Sequence, residues 1–120
     1  MSGILIVDDN PSIRYLLRSF IESKTPFVVC GEAQHGVEAI GKAKQLNPDL
    51  ILVDLSMPVL NGADAASILK KEMPQAKIIL FSLHADTISP LLVSALGVDL
   101  ALSKTDGLMK LAEQVTALLS

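Results

Sequence analysis

Residues 4–14 read ILIVDDNPSIR, from Ile4 to Arg14. Four branched apolar residues run into two adjacent aspartates, and Asn10-Pro11 follows at once. The apolar run has the length and composition of a buried strand. Asn10 suits a helix N-cap and Pro11 the first helical turn. A strand therefore ends on Asp8-Asp9 and the chain turns directly into a helix. Two carboxylates about 5 Å apart repel by roughly 3 kcal/mol even at an effective dielectric near 20. Something elsewhere in the chain has to offset that repulsion.

Outward from this stretch the same alternation recurs. The strand candidates are Gly3–Asp8, Phe27–Ala33, Leu50–Asp54, Lys77–Ser82 and Leu100–Ser103. Runs that are apolar throughout suit strands covered on both faces, as in parallel sheets. The second run is less continuous and reads as an edge. Helical periodicity fills the gaps. The first helix carries Ile13, Leu16, Leu17, Phe20 and Ile21 on one stripe. The second runs from Gly36 to Leu46 with Val37, Ile40, Ala43 and Leu46 expected inward, and Pro48 stops it. The third starts near Asn61 or Gly62, turns Ala65, Ile68 and Leu69 inward, and ends before Pro74. The fourth begins at Ser89-Pro90 and ends at Gly97. The fifth follows Asp106-Gly107 with Leu108, Leu111, Val115 and Leu118 on its stripe. Five strand–helix units in succession predict a doubly wound (βα)5 three-layer α/β sandwich spanning residues 1–120 as one domain.

Composition narrows the function classes. The net charge is −3 and the lysines are scattered, so no basic patch marks this domain as a direct nucleic-acid binder. Aromatics make up 3% of the chain, which leaves little for base stacking. No apolar run has membrane-spanning length. The single cysteine, Cys30, rules out an internal disulfide and reads as a small buried residue. With no signal peptide to be seen, a reducing, cytoplasmic setting is expected. Half of the residues are hydrophobic, an excess that suits an interface.

In a doubly wound sheet the working site lies at the carboxyl ends of the strands. The first strand ends in Asp8-Asp9, the third in Asp54, the fourth in Ser82 and the fifth in Ser103-Lys104. Three carboxylates, a hydroxyl and a lysine would meet at one rim. A hard divalent cation would balance the acids, and carboxylate and carbonyl oxygens are what Mg2+ prefers. A lysine and a hydroxyl opposite it complete a cradle for a phosphoryl group, with an aspartate as nucleophile. Taken singly, each residue has a plainer role: an aspartate after a strand often caps a helix, and Lys104 alone is a solvated cation. His35 and His84 lack a partner at metal-ligand spacing and read as loop histidines.

Four motifs, VDDNP at Val7–Pro11, DLSMPVLNG at Asp54–Gly62, ILFS at Ile79–Ser82 and Lys104 after GVDLALS, occur in order at strand ends. On these the chain resembles, from end to end, the receiver domain of two-component response regulators. FSLHAD gives it the look of receivers attached to helix-turn-helix transcription factors. The resemblance implies a flavodoxin-like parallel sheet in order 2-1-3-4-5. It also implies Asp54 as the phosphoacceptor, with Asp9 as a direct Mg2+ ligand and Asp8 holding the metal through water. The Ser56 carbonyl would be a further ligand, and Ser82 and Lys104 would contact the phosphoryl group. The implied partner is a sensor histidine kinase or phosphotransfer protein. Output would pass through the surface of the fourth helix, fifth strand and fifth helix.

Three positions depart from the family pattern. Ala101 stands where a Tyr or Phe usually switches, Thr105 where many members have proline, and Leu83 where many have a small residue. A methyl group cannot swing between buried and exposed positions, so output needs another route. The fourth helix, SPLLVSALG, carries Leu91, Leu92, Val93 and Leu96, too many for one stripe, and a homodimer through the fourth and fifth helices would cover them. A degenerate receiver that acts only as an interaction module is the alternative, and Ala101 leans toward it. A cofactor-binding or nucleotide enzyme is disfavoured by the lack of a Gly-rich phosphate loop. An aspartyl hydrolase is disfavoured by Ser56, which stands two residues after Asp54 where such an enzyme needs an acid.

Overall fold

The computed structural model describes residues 3–54, 62–82, 90–104 and 107–120. Five strands alternate with five helices: β1 (Gly3–Val7), α1 (Pro11–Lys24), β2 (Val28–Ala33), α2 (Gly36–Leu46), β3 (Leu50–Val53), α3 (Gly62–Glu72), β4 (Lys77–Ser82), α4 (Pro90–Leu96), β5 (Leu100–Ser103) and α5 (Leu108–Leu119). The strands form one parallel sheet in the order β2-β1-β3-β4-β5. The expected flavodoxin-like architecture is what the chain adopts.

Strand alternation sorts the core into two layers. Leu5, Val7, Ile51, Val53, Ile78 and Leu80 face a cluster with Ala39, Ala43, Ala65, Ala66 and Leu69 of α2 and α3. Ile4, Ile6, Leu50, Leu52, Ile79, Phe81 and Leu102 face Leu17, Ile21, Leu111 and Val115 of α1 and α5. Both faces of the central strands are covered, which is why β1 and β3 are apolar along their length, while edge strand β2 carries the partly exposed Glu32.

The helix ends follow the sequence signals. The Asn10 side chain accepts hydrogen bonds from the backbone N–H groups of Ser12 and Ile13, and Pro11 opens α1. Asn47 closes α2 in the left-handed region at φ 49°, with Pro48 behind it. His35 is more than a loop residue: its Nδ1 accepts from the Glu38 N–H and caps α2, while the Glu38 carboxylate accepts from the Gln34 N–H.

Helix faces depart from the expected stripes. On α2, Gly36, Ala39 and Ala43 are buried, whereas Val37 and Leu46 are exposed. Nine residues separate Val37 from Leu46, which is two and a half turns at 3.6 residues per turn, so the two point to opposite sides. Small residues face the sheet instead, and the helix lies close to it. Leu16 on α1 and Ile68 on α3 likewise face outward. Cys30 is half-buried rather than buried, because the β1–β2 register shifts between Ile4 and Leu5 and leaves Cys30 as the additional residue on an edge strand. Burial still pushes its thiol above the ordinary range, as suits an unreactive side chain.

Candidate functional site at the carboxyl edge of the sheet

The register decides which strand ends meet. Val7 of β1 pairs with Val53 of β3, and the Asp54 N–H donates to the Val7 carbonyl at 2.9 Å. Asp8 and Asp54 therefore leave the sheet side by side. The neighbours β2 and β3 flank β1, so this is where the strand order reverses, the place at which open α/β sheets leave a crevice. Ser82 pairs with Ser103 at the ends of β4 and β5, and Lys104 follows.

Three carboxylates converge. Asp8, Asp9 and Asp54 each offer an oxygen within 4.8 Å of the others. Asp8 is 2% and Asp54 8% exposed, while Asp9 is open to solvent. Lys104 answers part of the repulsion: its Nζ lies 3.2 Å from Asp8 Oδ2 and 3.6 Å from Asp54 Oδ1. Asp8 Oδ1 accepts from the Asn10 N–H at 2.9 Å. Among these four side chains the formal charge remains negative. The donor set is all hard oxygen with one acid open to solvent, which fits Mg2+ far better than a soft metal.

The fold thus brings together four of the residues singled out from sequence: Asp8, Asp9, Asp54 and Lys104. Ser82 takes its expected place at the end of β4. Ser56, Leu83, His84 and Thr105, as well as the side chain of Ser82, lie outside the described residues. Ala101 is partly buried against the α2–α3 cluster. The sequence reading gave no role to Arg14. It donates from Nη1 to the Asp8 carbonyl at 2.6 Å and from Nε to Glu32 Oε1 at 3.1 Å. Its position one turn into the helix after the acid pair was a usable signal, but its partner on β2 was not visible before the fold.

A parallel (βα)5 sheet with an acid triad and a lysine at its switch point defines a class of signalling domain. Residues 4–116 match the family model of the response regulator receiver domain, and the chain belongs to that family. It is 34% identical over 112 residues to the response regulator protein VraR of Staphylococcus aureus, covering 93% of this chain and 54% of that protein. The chain thus spans about half the length of the curated relatives it matches. Among solved structures it is similar to the response regulator TrrA of Thermotoga maritima in complex with Mg2+-BeF, with 32% identity and a TM-score of 0.88, covering 98% of this chain and 99% of that one. A LuxR-family two-component response regulator from Aurantimonas sp. gives 26% identity and a TM-score of 0.90, covering 99% and 85%. The chain is accordingly a response regulator receiver domain of two-component signalling. No helix among the described residues is long and apolar enough to cross a membrane.

Proposed function

We propose that residues 1–120 act as a phosphoacceptor receiver, with Asp54 taking a phosphoryl group from the phosphohistidine of a sensor kinase or phosphotransfer protein. The observation that carries this reading is Lys104 held between Asp8 and Asp54 beside a third carboxylate. Asp8, Asp9 and Asp54, with the Ser56 carbonyl, would hold Mg2+, which when bound neutralises charge on the phosphoryl oxygens. An Asp54 oxygen forms the new P–O bond as the P–N bond to the donor imidazole breaks. The bonding pair leaves with the imidazole nitrogen, which takes up a proton. Lys104 then exchanges its carboxylate partners for phosphoryl oxygens, and Ser82 stands on the neighbouring strand end to donate its hydroxyl. Slow hydrolysis of the acyl phosphate restores the carboxylate. A groove lined by Ile13, Leu16, Phe81 and Leu108 borders Lys104 and offers an apolar footing to the donor protein.

Output is proposed to pass through α4, β5 and α5. Leu91 on α4 is 83% exposed and Met109 on α5 is 59% exposed, which suits association of two copies in place of the missing aromatic switch. This domain itself is not proposed to bind nucleic acid; in a longer protein that task would fall to another domain. Ala101 leans toward a receiver reduced to an interaction module, and the acids and lysine standing together outweigh it.

The test is intact-protein mass after incubation with a small phosphoryl donor, with and without Mg2+, beside Asp54→Asn. A Mg2+-dependent adduct of one phosphoryl group, lost in Asp54→Asn, is the expected result. An adduct that survives in Asp54→Asn would place the acceptor elsewhere.

A further inference from the structure

Arg14 is the fourth residue of α1, and its side chain is 16% exposed. Its guanidinium touches two different elements, the Asp8 carbonyl at the end of β1 and the Glu32 carboxylate on β2. Glu32 is itself fixed: Arg18 Nη1 lies 3.3 Å from Oε2, and the Lys42 ammonium donates to its carbonyl. A guanidinium presents its N–H groups in one rigid plane. Glu32, by engaging Nε, therefore aims Nη1 at the Asp8 carbonyl.

That carbonyl belongs to the peptide that joins Asp8 to Asp9. The rest of Asp8 is already pinned, by its N–H on the Ala33 carbonyl, by the Asn10 N–H on Oδ1 and by Lys104 on Oδ2. Asp9 is exposed, and the peptide plane before it sets the direction of its carboxylate. We propose that Arg14, anchored by Glu32, is a positioning residue for the acid site: it fixes the Asp8–Asp9 peptide and so holds Asp9 in register with Asp8 and Asp54 for the cation. The inference rests on the Mg2+ reading above. The charge of Arg14 by itself would repel a cation, and Glu32, shared with Arg18, offsets part of it. In this inference orientation outweighs the remaining repulsion, and the two effects have opposite signs on Mg2+ affinity.

Calorimetric Mg2+ titration of the full chain tests this without phosphorylation. Arg14→Met is expected to weaken Mg2+ binding by about tenfold, the lower end of what loss of a partner behind a metal ligand costs. Arg18→Met removes the same charge, and one of the contacts that hold Glu32, without touching Asp8; it should weaken Mg2+ binding by less than Arg14→Met does. Arg14→Lys keeps the charge without the planar fork and should fall between. It also decides the matter if Arg14→Met does not fold, since unchanged affinity there would overturn the proposal. Equal or tighter binding by Arg14→Met, or an equal loss in Arg18→Met, would overturn it as well. An unaltered chain with no saturable Mg2+ binding would overturn the metal reading and this inference with it. An unaltered chain that binds beside an Arg14→Met that binds as well would overturn the inference alone.

Discussion

The two ends of the sheet both carry aspartates, and they treat them in opposite ways. At the amino end, Asp49 accepts from the Gly3 N–H at 2.8 Å. Asp99 accepts from the Ile78 N–H at 2.8 Å and pairs with Lys70 at 3.3 Å. At the carboxyl end, Asp8, Asp9 and Asp54 crowd within 4.8 Å and Lys104 pairs with two of them. The difference follows from the direction of the chains. All five strands are parallel, so one edge presents N–H groups and the other presents carbonyls. A carboxylate at the N–H edge finds donors in the neighbouring strands and becomes a fastener. A carboxylate at the carbonyl edge faces strand carbonyls: Asp8 takes the N–H of Asn10, beyond the strand end, and leans on Lys104. The same residue type is structural at one rim and chemically available at the other.

Removal of the cation breaks this comparison hardest. Lys104→Met leaves Asp8 and Asp54, with side chains 3% and 9% exposed, without their shared ammonium. Loss of one partner of a buried pair costs about 3 kcal/mol or more. Urea unfolding in EDTA should show that loss, and the phosphoryl adduct on Asp54 should disappear from the mass spectrum. Retention of both stability and adduct would mean that Lys104 does not hold the acids.

The amino end should respond differently. Asp99→Ala strips the buried Ile78 N–H of its acceptor and Lys70 of its carboxylate partner, leaving Lys70 on the Ala76 carbonyl. An unsatisfied buried donor costs about 1–3 kcal/mol. The expected outcome is about 2 kcal/mol less stability with phosphorylation of Asp54 unchanged, and Asp99→Asn should recover part of the stability by keeping an acceptor. A phosphorylation defect at native-like stability would show that Asp99 is more than a fastener.

How much of this was legible before the fold follows the same division. Central strands apolar along their length and five helical stretches between the runs were enough for a doubly wound sheet. The acid site was legible because its residues sit at strand ends, and the sheet gathers those ends at one rim. What escaped depends on distances across the chain. Val37 and Leu46 look inward by type, yet helix geometry turns them apart, and alanines take the core face of α2. Arg14 gains its role from Glu32, eighteen residues on and one strand over. His35 looked idle because its partner is a backbone N–H. Cys30 escapes full burial through a one-residue register shift.

Neutralising an acid at the carbonyl edge should have a smaller effect, of the opposite sign to either loss. In the absence of metal, Asp54 is repelled by Asp8 and Asp9 and attracted by Lys104. At an effective dielectric of 20, each repulsion across about 5 Å is roughly 3 kcal/mol and the attraction across about 4 Å roughly 4. Two repulsions exceed one attraction by roughly 2 kcal/mol, and solvent screening of the exposed Asp9 takes off about half of that. Lys104 keeps its shorter contact with Asp8 when Asp54 is neutral. Asp54→Asn should therefore be more stable than the unaltered chain by about 1 kcal/mol in EDTA, read from urea midpoints at pH 7. Mg2+ should then reverse the ranking, since ligand at ten times its dissociation constant adds about 1.4 kcal/mol only to the chain that binds it. A destabilised Asp54→Asn in EDTA would mean that the carbonyl edge satisfies its aspartates as fully as the amino edge does, and the contrast between the two rims would fail.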